Sequence, residues 1–173
     1  MRIIFILLLL TGSFTMNGQE DVIAKYKAMF TLNFIRYIGW PEDAKQGDFV
    51  IGVVRDAMIA EYLQSQSAGK KYGYQNIVIK EFRKIEEITD CQILYFANSY
   101  SFAKNAAVVK QKLGGKNSLI ISETEGAISD GSIINFVVRD GKLKFELSQQ
   151  NANAFGIKLS NSLTALSNSI LVN

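Results

Sequence analysis

Apolar residues recur at helical spacing through residues 21–38, where Val22, Ile23, Tyr26, Met29, Phe30, Phe34, Tyr37 and Ile38 share one broad face. That spacing predicts an amphipathic helix docked on a core. Ala24, Ala28, Leu32 and Ile35 make a second, narrower stripe, about 180° from the first at about 100° per residue. A helix apolar on two sides needs two contacts, the second supplied by the same chain or by a partner. Gly39 and Pro41 end the helix. Trp40 between them is either a partly buried plug or an anchor for a partner, since tryptophan is enriched at binding hot spots.

Beyond Pro41 the pattern alternates between strand and helix. Residues 49–54 (FVIGVV) read as a buried strand, and Asp56 as the N-cap of a short helix whose Met58, Ile59, Tyr62 and Leu63 share a face. Residues 67–71 read as a loop. Strands at 76–82 and 92–96 bracket a helical turn or loop at 84–90. Residues 101–113 form a helix closed by Gly114-Gly115, a good left-handed terminator, and 118–122 form the next strand. The runs 133–138 and 142–147 flank Arg139-Asp140-Gly141, a strong hairpin signal. Residues 151–171 carry Phe155, Ile157, Leu159, Leu163, Leu166 and Ile170 and read as one or two helices packed back on the sheet. The sum is an α/β fold in a single domain, with a mixed sheet of about six strands flanked by helices. No internal repeat or interdomain linker interrupts it.

The first 18 residues follow a different pattern. Arg2 precedes an unbroken apolar run at 3–10 and a small, polar stretch at 11–18, the layout of an export signal. Eight apolar residues are too few to span a bilayer, which takes about 20. Cleavage after Gly18 leaves Gln19 at the mature N-terminus, and with no cysteine nearby no lipid-anchored form is expected. The expected organisation is a signal peptide at 1–18, a domain at 19–173 and a periplasmic location. Removing 18 residues from 173 leaves 155, enough for one core.

Charge and composition narrow the chemistry. Of 19 Lys+Arg, only Arg2 falls in the signal, so the domain sets 18 cations against 16 carboxylates, a net +2. That balance does not argue for nucleic acid, which calls for a clustered basic face. The single Cys91 cannot form an intrachain disulfide, and its place at the head of an apolar run marks it as a buried small hydrophobe. With no histidine, Ser-His-Asp and Cys-His catalysis and the commonest zinc sites each lack a member. Gly114-Gly115-Lys116-Asn117-Ser118 lacks the leading glycine of a phosphate loop and follows a helix where a strand is required. Glu123 and Glu125, with Asp130 close by, read as a solvated acidic loop or as a carboxylate pair. No cofactor motif is present.

Several segments together resemble one family. Lys27-Ala28-Met29-Phe30, Asn33-Phe34, Gly39-Trp40-Pro41, Ile51-Gly52-Val53 and Cys91-Gln92-Ile93-Leu94-Tyr95-Phe96 look like successive motifs of the YfiR-like family. Ser118-Leu119-Ile120-Ile121-Ser122, Ile133-Ile134-Asn135-Phe136-Val137 and Lys144-Phe145-Glu146-Leu147 continue the series in the same order. The resemblance implies a small periplasmic α/β protein that acts without catalysis. Its best-known type represses a membrane-bound diguanylate cyclase through the cyclase's periplasmic region, and an outer-membrane lipoprotein relieves that repression. That type is braced by disulfides, whereas this chain has Cys91 alone.

Two functions follow as expectations. The first is a non-catalytic repressor that binds the periplasmic domain of an inner-membrane signalling protein and forms a homodimer, using Ala24, Ala28, Leu32, Ile35 and Trp40. The second is a small-molecule binding module with its pocket at the carboxyl ends of the strands, near Arg55, Ser122 and Glu123.

Overall fold

The computed structural model describes residues 17–115 and 117–167. The predicted export signal lies outside the described residues except for Asn17 and Gly18, as do Lys116 and Ile170. Helix α1 (Asn17–Phe34) runs into a 3-10 turn at Ile35–Tyr37 and the two-residue strand β1 (Ile38–Gly39). Strand β2 (Phe49–Val54), helix α2 (Ala57–Ser67) and the hairpin of β3 (Lys71–Tyr72) with β4 (Gln75–Phe82) come next. Then follow β5 (Ile93–Phe96), α3 (Phe102–Lys112), β6 (Leu119–Ser122), β7 (Ile134–Arg139) and β8 (Lys142–Leu147). The chain closes with α4 (Gln149–Ala154), β9 (Lys158–Leu159) and α5 (Asn161–Ser167).

Seven strands form the main sheet, in the order β3-β4-β2-β5-β6-β7-β8. β4, β2, β5, β6 and β7 run parallel, and β3 and β8 pair antiparallel at the two edges. β5 and β6 are buried along their whole length, as expected where helices cover both faces of a parallel sheet. Successive strand residues point to opposite faces. Tyr95 faces α1, whereas Phe96 packs edge-on against Phe102 of α3, with ring centroids 5.3 Å apart. Asp56 caps α2 as its sequence predicts, its carboxylate accepting from the Ile59 amide at 3.0 Å.

Four predicted features come out differently. Residues 67–71 are not a simple loop, since Lys71 and Tyr72 pair with Asn76 and Gln75 as β3. The carboxyl-terminal segment is not purely helical, because β9 pairs with β1 through Ile38 opposite Leu159 and Gly39 opposite Lys158. Strands of two residues are too short to carry a period, which is why hydrophobic alternation does not reveal them. The first helix also ends earlier than Ile38, at Phe34.

The fourth difference is in the two stripes of α1. The narrow stripe is the covered one: Ala24, Ala28 and Ile35 are buried, with Thr31 completing the same face, and Leu32 at its margin is half-buried. Val22 on the broad stripe is exposed, and Ile23, Tyr26 and Phe30 are only half-buried. The reason is steric. Small side chains let a helix approach its neighbours closely, and α1 lies against α2, where Tyr62 donates to Asp21 and the Gln66 side chain donates to the Lys25 carbonyl at 3.1 Å. At its carboxyl end, Phe34 packs against Phe145 at 5.1 Å and Phe136 at 5.9 Å, fixing the helix over β7 and β8. Trp40 is likewise a plug: it is buried, donates from Nε1 to the Ile35 carbonyl at 3.0 Å, and meets Phe49 edge-on at 5.2 Å.

Candidate functional site

Strand β6 ends at Ser122, and β7 overhangs it, because Ile121 and Ser122 are the last residues of β6 to find partners on β7. The overhang leaves a depression of about 460 Å³ at the carboxyl ends of the strands, lined by Lys27, Asn98, Glu123, Thr124, Glu125, Phe136, Val137 and Val138. Carboxyl ends are where open α/β sheets bind ligands. Lys27 reaches it from α1, its Nζ 2.6 Å from Glu123 Oε2. The Tyr95 hydroxyl donates to the other oxygen, Oε1. Burial pushes the Tyr95 phenol well above its ordinary pKa, and the Glu123 charge beside it adds to the effect. The phenol therefore stays a donor, and the carboxylate is held from both sides.

The three residues predicted to share a pocket are not brought together. Glu123 lines the depression. Ser122, next in the strand, points to the opposite face, fully buried, with its Oγ 2.7 Å from Ser132 Oγ and 2.8 Å from Asn135 Oδ1. Arg55 is exposed at the end of β2 with φ 56°, and its guanidinium lies 4.9 Å from the centre of the Tyr100 ring. Glu125 is taken up by Arg139, which bridges it to Glu146 at 3.1 and 2.6 Å.

Thr124 is the residue that sequence reasoning missed. Its Oγ1 is buried at the depression without a hydrogen-bond partner among the described residues, and Thr31 on the inner face of α1 shares that condition. Nothing in the local sequence marks either threonine.

A second hollow of about 460 Å³ opens at the amino ends of the strands, lined in part by Asp43, Asp48, Asp90 and Cys91. Among the described residues no group of three or more His, Cys, Asp or Glu side chains is placed to hold a metal ion. Cys91 is buried, and desolvation pushes its thiol up to about 12, so it behaves as the small hydrophobe its sequence context predicts.

The geometry defines an α/β domain with a covered parallel sheet, an amino-terminal helix pinned by a shielded ion pair, and apolar surface left on that helix. The chain belongs to the YfiR/HmsC-like family, whose profile matches residues 24–168. No curated protein matches it. Membership points to a periplasmic signalling regulator. No helix among the described residues is long and apolar enough to cross a membrane.

Proposed function

We propose that the chain binds the extracytoplasmic domain of an inner-membrane signalling protein, by kinship a diguanylate cyclase, and holds it inactive without catalysing a reaction. The observation that carries this reading is the family match, which takes in the sheet and the greater part of α1. The exposed apolar surface of α1 supports it: Val22 is 47% exposed, with Tyr26, Met29 and Phe30 half-buried beside it. Because Ala24, Ala28, Ile35 and Trp40 are covered within the chain, the outward stripe and the marginal Leu32 are the proposed contact surface. A second copy of the chain, and an outer-membrane lipoprotein that relieves repression, belong to the same reading.

The test is co-elution of the exported form with the soluble extracytoplasmic domain of a membrane-bound diguanylate cyclase from the same cell. A complex that Tyr26→Glu weakens, in a variant that keeps its fold, is the expected result. Absence of a complex, together with unchanged cyclic-di-GMP on deletion, would overturn it.

A small-molecule binding module is the second reading, favoured by the unpartnered Thr124 hydroxyl at the depression. A metabolite retained through purification and identified by mass spectrometry would support it.

A further inference from the structure

Strand β4 is eight residues long, yet its outer neighbour β3 pairs with only Gln75 and Asn76. Residues 77–82 are bonded to β2 on one side, and on the other no described strand adjoins them. Ile77, Val78 and Ile79 are half-buried along this edge. An open edge presents main-chain donors and acceptors to any extended chain that approaches it.

Two hollows adjoin the edge and share Lys70, Lys71 and Ile77. One, of about 460 Å³, lies between the end of α2 and β4, lined by Ser67, Gly69, Val78 and Ile79 among others. The other is a slot of about 130 Å³ walled by Met29, Leu32, Ile35, Tyr72 and Ile77, with Arg36 at its rim. A cavity of roughly 150 Å³ accommodates a benzene-sized group, so the slot suits one aliphatic side chain.

Charge identifies the occupant. Arg36, Lys70 and Lys71 line the two hollows, and no carboxylate does. None of the three enters an ion pair among the described residues. Beside them the hairpin carries Tyr74, fully exposed at its turn, and a protruding aromatic is a frequent anchor at interfaces. A second copy of the chain paired edge to edge would set one cluster of cations against another, which opposes association.

We infer that the open edge of β4 and the basic slot beside it dock an extended, acidic segment of a partner protein, which adds to the sheet as a further strand. Main-chain hydrogen bonds to residues 77–81 supply the register, an apolar side chain enters the slot, and acidic side chains meet Arg36, Lys70 and Lys71. That the partner is the repressed signalling protein rests on the reading above; the docking site itself does not.

Two probes separate those claims. The first is a capped octapeptide alternating valine and glutamate, compared with its lysine counterpart, read by fluorescence anisotropy and by amide hydrogen exchange of the purified protein. The acidic peptide is expected to bind and slow exchange at residues 77–81, and the lysine peptide is not. Lys70→Glu/Lys71→Glu, at two exposed positions that leave the core intact, is expected to weaken the acidic peptide about tenfold or more at low salt and less at high salt. Equal affinity for the two peptides, or unchanged exchange along β4 in their presence, would overturn the docking site. The second probe is the extracytoplasmic cyclase domain used in the co-elution test. If it binds without protecting β4 while the acidic peptide protects it, the docking site stands and its assignment to that partner is overturned. If it does not bind at all, the repressor reading is overturned instead.

Discussion

Lys27 on α1 and Glu123 beyond β6 lie 96 residues apart in sequence and meet at 2.6 Å, with side chains only 15% and 10% exposed. Removing one member of a shielded pair strands the other charge, at a cost of about 3 to 5 kcal/mol when burial is complete. Lys27→Met is expected to cost roughly 2 to 4 kcal/mol, at the lower side because Tyr95 still donates to Glu123. Lys27→Met/Glu123→Gln should recover most of that loss. Urea denaturation midpoints of the single and double variants measure both.

Gly52 sits where β2 faces β5, and a Cβ there would come 2.5 Å from Phe82 Cε2 and 3.3 Å from both Cys91 Sγ and Leu94 Cδ1. Alanine ordinarily favours a strand over glycine, but overpacking a filled core costs about 1 to 3 kcal/mol. Gly52→Ala is therefore expected to lower thermal stability, and Gly52→Ala/Phe82→Leu to restore part of it. A Gly52→Ala variant as stable as the parent would show that Phe82 moves aside without cost.

The thiol of Cys91 is raised by burial from 9.0 to about 12. A group whose folded value is raised contributes stability that is whole below its unfolded value and is lost as pH climbs through the folded one. Stability should therefore decline from about pH 9 toward pH 12, with Tyr95 adding to the decline above its ordinary value of 10.0. Cys91→Ala should flatten the first part of that decline and Tyr95→Phe the second, in denaturation series at fixed pH. The native protein should also resist aromatic disulfide reagents at pH 8.

Leu32 is the one member of the narrow stripe of α1 left half-buried, and it walls the slot beside β4. Leu32→Glu places a carboxylate among Arg36, Lys70 and Lys71, so the variant should remain folded by circular dichroism while binding the acidic octapeptide several-fold more weakly. Undiminished binding would mean that the slot takes no part in docking.

Where a segment is long and its period unambiguous, sequence and structure agree. The hairpin about Asp140-Gly141, the Asp56 cap and the buried runs of β2, β5 and β6 follow from local turn chemistry and apolar continuity. The orientation of α1 does not. Counting apolar residues favours the face bearing Phe30 and Tyr26, yet packing distance favours the face of Ala24 and Ala28, because closeness to α2 and the sheet depends on how little those side chains protrude. Glu123 is identifiable as a carboxylate after a strand, but its partners Lys27 and Tyr95 come from elements that only the folded chain makes adjacent. The β4 edge is invisible for the same reason, since strand order is a property of the whole topology.

The pairing of β1 with β9 sets the time at which the fold can be completed. Ile38 finds its partner only at Leu159, so a chain emerging from amino to carboxyl end must expose almost all of its length before the junction after α1 is secured. Contacts of such long sequence separation form late and slowly. Truncation before residue 158 should therefore leave α1 held by α2, Glu123 and the aromatic cluster but its following junction unsecured, a state open to proteolysis at residues 35–48 and closed to it once the last strand arrives.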